Sequence, residues 1–139
     1  MGEKTTIDLL NELLEAERSG VIVFEQMSFL SSSKETNRIF ATIRNNESRD
    51  CEILHSLISQ RQVQPTDKMN NFADKLMALE DEKERIALAI KGCAWITRKI
   101  TEFSEADLTQ EERDFLLGMH RQHTWNIGMM RELLKPQER

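Results

Sequence analysis

A chain of 139 residues, 39% apolar and 31% charged, is sized for one domain over 1–139 with a modest core and a well-solvated surface. Its net charge of -5 speaks against nucleic acid and against a polybasic membrane contact, so neither is expected as a partner. No uninterrupted apolar run is long enough to span a membrane, and MGEKTTID lacks the apolar core of a signal peptide, so a cytoplasmic protein is expected. Tyrosine is absent, Gly and Pro are few, and strong helix formers abound, a composition for an all-α fold. Cys51 and Cys93 are spaced for neither a zinc ribbon nor a CxxC motif, and are expected as free thiols.

Helix 1 is predicted from a Thr5 or Thr6 N-cap, with Asp8 in its first turn, to about Leu30. Its seam at 3.5-residue spacing reads Leu10, Leu13, Glu17, Val21, Phe24 and Ser28, while Glu15 points away. One acid therefore interrupts an apolar stripe. A carboxylate in that position must be paired, protonated or bound to a cation, because burying it alone is expensive. The run Ser31–Ser33 ends this helix and caps the next.

Helix 2 is predicted over Lys34–Gln60, with Ile43, Glu47, Asp50, Cys51, Leu54 and Ile58 along its seam. The overlapping Glu52-x-x-His55 has the ExxH spacing of di-iron bundles. Periodicity disfavours it, since Glu52 lies about 180° around the helix from Ile43. Residues 61–67 read as a loop stopped by Pro65, followed by a short helix over 68–79 with Phe72, Leu76 and Leu79 inward. The acidic cluster at 80–84 suits the first turn of a further helix over about 81–103, whose stripe is Ile86, Ile90, Cys93, Thr97 and Ile100. Thr109-Gln-Glu-Glu112 is a capping box opening a last helix to about Leu134, with His123 on its seam and His120 one turn earlier.

Four substantial helices joined by short connections make a four-helix bundle the economical architecture, with a short extra helix in the connection between the second and third. Glu17, Glu47, Asp50 and His123 then converge at mid-height, and Glu84 (or Glu80 in another register) is the third long helix's candidate. Carboxylates with imidazole form a ligand set for iron, manganese or zinc. The plainer reading is a buried polar network, with Glu17 on Arg49 or Arg98 and His123 on a carboxylate. No organic cofactor is expected.

LLNELLEAE at 9–17 resembles the first helix of bacterioferritin-type and rubrerythrin-type ferritin-like proteins, and HTWNI at 123–127 resembles their histidine-bearing fourth helix. Together with NESRDC and ERIALAIKGCAWITRKI, these segments are similar to a small ferritin-like family of unassigned function. The resemblance implies a ferritin-like four-helix bundle with Glu17, Glu47, Glu84 and His123 as metal ligands, and Asp50 and His120 next. It also implies one or two transition metal ions, iron or alternatively manganese or zinc, with oxidoreductase or peroxide-handling chemistry. The chain departs from that pattern in offering Glu47-x-x-Asp50 and His120-x-x-His123 where ExxH would stand twice. The alternative is a bundle without metal, acting as an interaction module or a homodimer.

Overall fold

Five helices and no strand make up the described residues, 3–103 and 107–136, of the computed structural model. They are α1 (Glu3–Phe29), α2 (Lys34–Gln60), α3 (Phe72–Met77), α4 (Glu82–Glu102) and α5 (Gln110–Leu134). Three starts follow local side-chain chemistry. Ser33 Oγ accepts the Thr36 N–H (3.1 Å) and Asp81 Oδ2 the Glu84 N–H (3.0 Å). Thr109 and Glu112 close a reciprocal capping box at 3.1 and 2.8 Å. The cysteines are free thiols.

Two expectations change. α1 already runs at Glu3, ahead of the expected Thr5–Thr6 cap, because the Thr6 hydroxyl is spent elsewhere: it is buried and donates to the Asp107 carbonyl (2.9 Å). The helix expected over 68–79 shrinks to Phe72–Met77, because the residues before it are held along α1.

The helices form two antiparallel pairs, α1 with α2 and α4 with α5, and each pair packs on the other. Thr6 places the start of α1 beside the α4–α5 connection. At the other end, Ser32 donates its N–H (3.1 Å) and hydroxyl (2.8 Å) to Glu82, so α4 begins where α1 ends. α1 and α4 are therefore antiparallel, and α2 and α4 run in the same direction. The connection 61–81 must return along a helix about 40 Å long.

A polar stripe on α1 guides that return. Asn11 Oδ1 accepts the Thr66 N–H (2.9 Å), and Glu15 Oε2 accepts the Thr66 hydroxyl (2.7 Å). Arg18 donates to the Thr66 and Lys68 carbonyls, and Ser19 Oγ accepts the Ala73 N–H (2.8 Å). These side chains recur at i, i+4, i+7 and i+8, one face of one helix. At the end of α2 the chain turns through Gln62, in the left-handed region at φ 63°.

The core has two apolar blocks with a polar layer between them. One block holds Leu9, Leu10, Leu13, Leu54, Ile58, Leu116 and Met119. The other holds Val23, Phe24, Phe40, Ile43, Ile86, Ile127 and Met130. Along α1, α2 and α5 the residues between the blocks are Glu17, then Glu47 and Asp50, then His123 and Asn126, all buried.

Arg61 locks the end where the connection departs. Its Nε and Nη2 grip both oxygens of buried Glu112 (each 2.7 Å), and Nη2 also donates to the Asp107 carbonyl (2.7 Å). Removing one side of a buried pair strands the other's charge. Arg61→Ala is expected to lower unfolding stability by about 2 to 3 kcal/mol in urea titration. A loss under about 0.5 kcal/mol, the scale of an exposed pair, would show that solvent screens the contact.

Candidate metal centre

His123 sits at the centre of the polar layer, and its ring orientation follows from one backbone contact. Nδ1 lies 2.9 Å from the Met119 carbonyl, which can only accept, so Nδ1 carries a proton. Nε2 is then aimed across the core at two carboxylates, Glu17 Oε1 at 3.1 Å and Glu47 Oε2 at 3.5 Å. Tying one ring nitrogen to a carbonyl so that the other faces a cation site is the usual arrangement of a metal-binding histidine.

Two donor groups share that ring. Glu17, Asp50 and His123 bring ligand atoms within 4.8 Å of one another, and so do Glu47, Cys93 and His123. Glu17 Oε2 and Asp50 Oδ2 are buried with no N–H or hydroxyl donor on them, and the two carboxyls lie close enough to share a proton. Orphaned carboxylate oxygens at this depth are costly unless a proton or a cation meets them. The donor chemistry fits a divalent transition metal, with carboxylates, one imidazole and one thiol.

Gly20 makes room for Glu47. A Cβ at position 20 would collide with Glu47 Oε1, so the carboxylate of α2 rests directly on the backbone of α1. An open cleft of about 310 Å³ leads to the same residues from outside, between α1, α3 and α4. Its floor includes Glu17, Glu47, Cys93 and His123, and its walls include Phe24, Phe72 and Trp95.

Of the sequence-predicted ligands, the structure brings together Glu17, Glu47, Asp50 and His123. Glu84 stands apart. It is exposed in the first turn of α4, opposite the far end of α1, because Ser32 meets Glu82 there. In antiparallel α4 the level of Glu17 falls near Cys93, nine residues and about 13 Å further on. Glu80, in the linker before α4, is exposed too. His120 is half-buried and lines a shallow groove with Thr97, Arg98 and Glu102. Glu52 faces solvent, as the periodicity implied, and so do His55 and the two arginines weighed as partners of Glu17, Arg49 and Arg98. Cys93 was read only as a core thiol; its place on the α4 stripe was the available signal.

The electrostatics describe a layer that retains protons. Burial pushes the Glu17 carboxyl well above its ordinary value, and the neighbouring charge of Glu47 pushes it further, against the pull of His123. Burial likewise raises Glu47, against the pull of His123, and Asp50, against its hydrogen bond with Glu17 and the charges of His123 and Arg49. Burial alone would lower His123, but Glu17 and Glu47 override it and hold the ring well above the usual histidine range. Burial raises both thiols, Cys51 to about 12. Glu112 behaves in the opposite way: burial would raise it, but Arg61 and Thr109 hold it below the usual carboxylate value.

The pH dependence of the metal-free protein follows. Raised carboxyl and imidazole values mean that the folded state holds protons the unfolded chain releases, so stability falls as pH rises through them. The carboxyl contribution begins to fall above about 4.5 and that of His123 above about 6.5. The Glu112 contribution is lost only on the acid side, as pH drops below 4.5 through its lowered value. In chelator-treated protein, the unfolding temperature should therefore peak near about pH 5 and decline towards about pH 8. A rising profile over that interval would contradict the proton-holding layer.

No curated protein and no solved structure matches the chain. Residues 4–132 match a family described as "Domain of unknown function (DUF6306)". That match spans nearly the whole length, from α1 into the last turn of α5, and the chain belongs to the DUF6306 family.

Proposed function

We propose that the chain is a ferritin-like four-helix bundle, with α3 as the extra helix in its crossover, and that it binds a transition metal ion within the polar layer. The observation that carries this reading is His123, held through Nδ1 so that Nε2 faces Glu17 and Glu47, beside buried oxygens of Glu17 and Asp50 that no N–H or hydroxyl donor meets. Glu17, Glu47, Asp50, Cys93 and His123 are the proposed ligand pool. The return of the connection along α1, which makes α2 and α4 run the same way, supports the ferritin-like topology.

Cys93 alters the choice of metal. A thiolate favours zinc or iron(II) over manganese, and carboxylates with imidazole accept either. Bound iron would supply redox chemistry with oxygen and bound zinc a Lewis acid. The protein's own part is to orient the imidazole, hold the acids in a low-dielectric layer and restrict access to the cleft. One observation favours the alternative of a metal-free interaction module: His123 and Glu17 are already in contact at 3.1 Å, so a proton between them satisfies both. Phe29, Leu117 and Trp125 would offer such a module exposed apolar contacts.

Elemental analysis of untagged protein separates the two. About one metal ion per chain is expected, and saturating metal should raise the unfolding temperature by on the order of 10 °C. Glu17→Gln with His123→Ala should abolish both effects. Protein that stays below about 0.1 ion per chain after growth with iron or zinc and titration with either is the metal-free module.

Gly20→Ala gives a sharper test, because its two effects oppose. Alanine inside a helix gains about 1 kcal/mol over glycine. The added Cβ, however, drives Glu47 out of its position. Metal affinity should therefore fall at least about tenfold, while the helix gain partly offsets the stability lost with the Glu47–His123 contact. Undiminished affinity would remove Glu47 from the ligand pool.

A further inference from the structure

The cleft over the polar layer carries more information than an entrance needs. Its mouth is cationic. Lys91 and Arg98 stand two turns apart on α4, and Lys75 faces them from α3. All three are exposed, and the acids among the lining residues, Glu17 and Glu47, both lie at the floor. Between mouth and floor the walls are mainly apolar, with Phe72 on one side, beside Asn70 and Asn71, and Trp95 and Ile96 on the other.

The walls are also shaped. Gly92 lets the Phe72 ring approach α4, since a Cβ there would lie 2.7 Å from the ring's Cζ. α3 is thereby seated as one side of the cleft. A volume of about 310 Å³ equals roughly ten water molecules of liquid, the lower end of the range for small-ligand pockets. A metal ion or dioxygen needs neither this volume nor an aromatic throat.

We infer that the cleft binds a small amphiphilic monoanion, a carboxylate with an unbranched apolar chain, with its head at Lys91, Arg98 and Lys75 and its chain directed at the polar layer. The cations select the head by charge and steer it towards the cleft. The apolar walls bind the chain by burial, without hydrogen-bond demands. The far end of the chain then meets Glu17, Glu47 and His123. This names the ligand class of the proposed metal centre and rests on that reading only for what happens at the floor; the head and chain contacts hold with or without metal.

Octanoate is the probe, read by tryptophan fluorescence in a Trp125→Phe background, so that Trp95 reports alone. Trp125 is exposed and outside the cleft lining, so its replacement leaves the walls intact. Octanoate should bind at least about tenfold tighter than octan-1-ol or octylamine. Affinity should rise about three- to fourfold per added CH₂ from butanoate until the chain fills the cleft, and then stop rising. Lys91→Ala with Arg98→Ala should weaken octanoate about tenfold and leave octan-1-ol unchanged. These side chains are exposed, and a matching circular dichroism melt confirms that the variant is folded.

Equal binding of octylamine, a flat chain-length series, or full octanoate affinity in the folded double variant would each overturn the inference. Metal content measured on the same samples separates the two readings. Metal at about one ion per chain without anion selectivity overturns this inference alone. Anion selectivity in protein that takes up no metal overturns the metal centre alone.

Discussion

The contact on which the rest of the architecture depends is His123 with Glu17 and Glu47. Three helices place ionisable groups at one level, with apolar blocks on either side, so the level cannot drift. A shift of one helix by a turn would move a carboxylate into a leucine or phenylalanine layer, where nothing meets its charge. Register is specified by the polar layer, and most of the burial that holds the helices comes from the apolar blocks. The division explains how acids can persist in a small core. They contribute uniqueness of packing, while Leu, Ile, Phe and Met contribute stability.

The crossover and the cleft are consequences of the same arrangement. Because α4 runs antiparallel to α1, the chain must return along the outside after α2, and the polar stripe of α1 holds it there. That return delivers Phe72 onto Gly92 and leaves a gap above the polar layer instead of a closed seam. A simple up-down-up-down connection would need no α3 and would build no such wall. Access to the layer is thus a product of topology, and the identities of Phe72, Gly92, Trp95 and Arg98 set what passes.

Much of this was legible in the sequence, for definable reasons. Glu17, Glu47, Asp50 and His123 were readable because each interrupts an apolar stripe, and burial of a whole stripe forces its polar members inward. The same periodicity disfavoured Glu52 despite its di-iron spacing with His55, and both side chains are exposed. Glu84 was misplaced because periodicity gives the face of a helix and not its height. Height depends on where α4 begins relative to α1, and that is decided by the Ser32–Glu82 contact and the outside path of 61–81, both long-range. Of the polar stripe Asn11, Glu15, Arg18 and Ser19, only the outward direction of Glu15 was readable. The stripe's partners are mostly backbone groups of a loop, which side-chain patterns do not announce.

Cys93 shows how height and chemistry combine. On its own it is a buried thiol that burial keeps protonated, indistinguishable from a small core residue. At the level of Glu47 and His123 it is a third donor type beside carboxylate and imidazole. A cation there would stabilise the thiolate and the neighbouring carboxylates together, reversing for each the penalty that burial imposes. The same group is therefore a protonated core thiol without a metal and an available donor beside one. Its position nine residues beyond Glu84 makes α4 a thiol-bearing rather than an acid-bearing helix at the centre, which sets this layer apart from an all-carboxylate di-metal site.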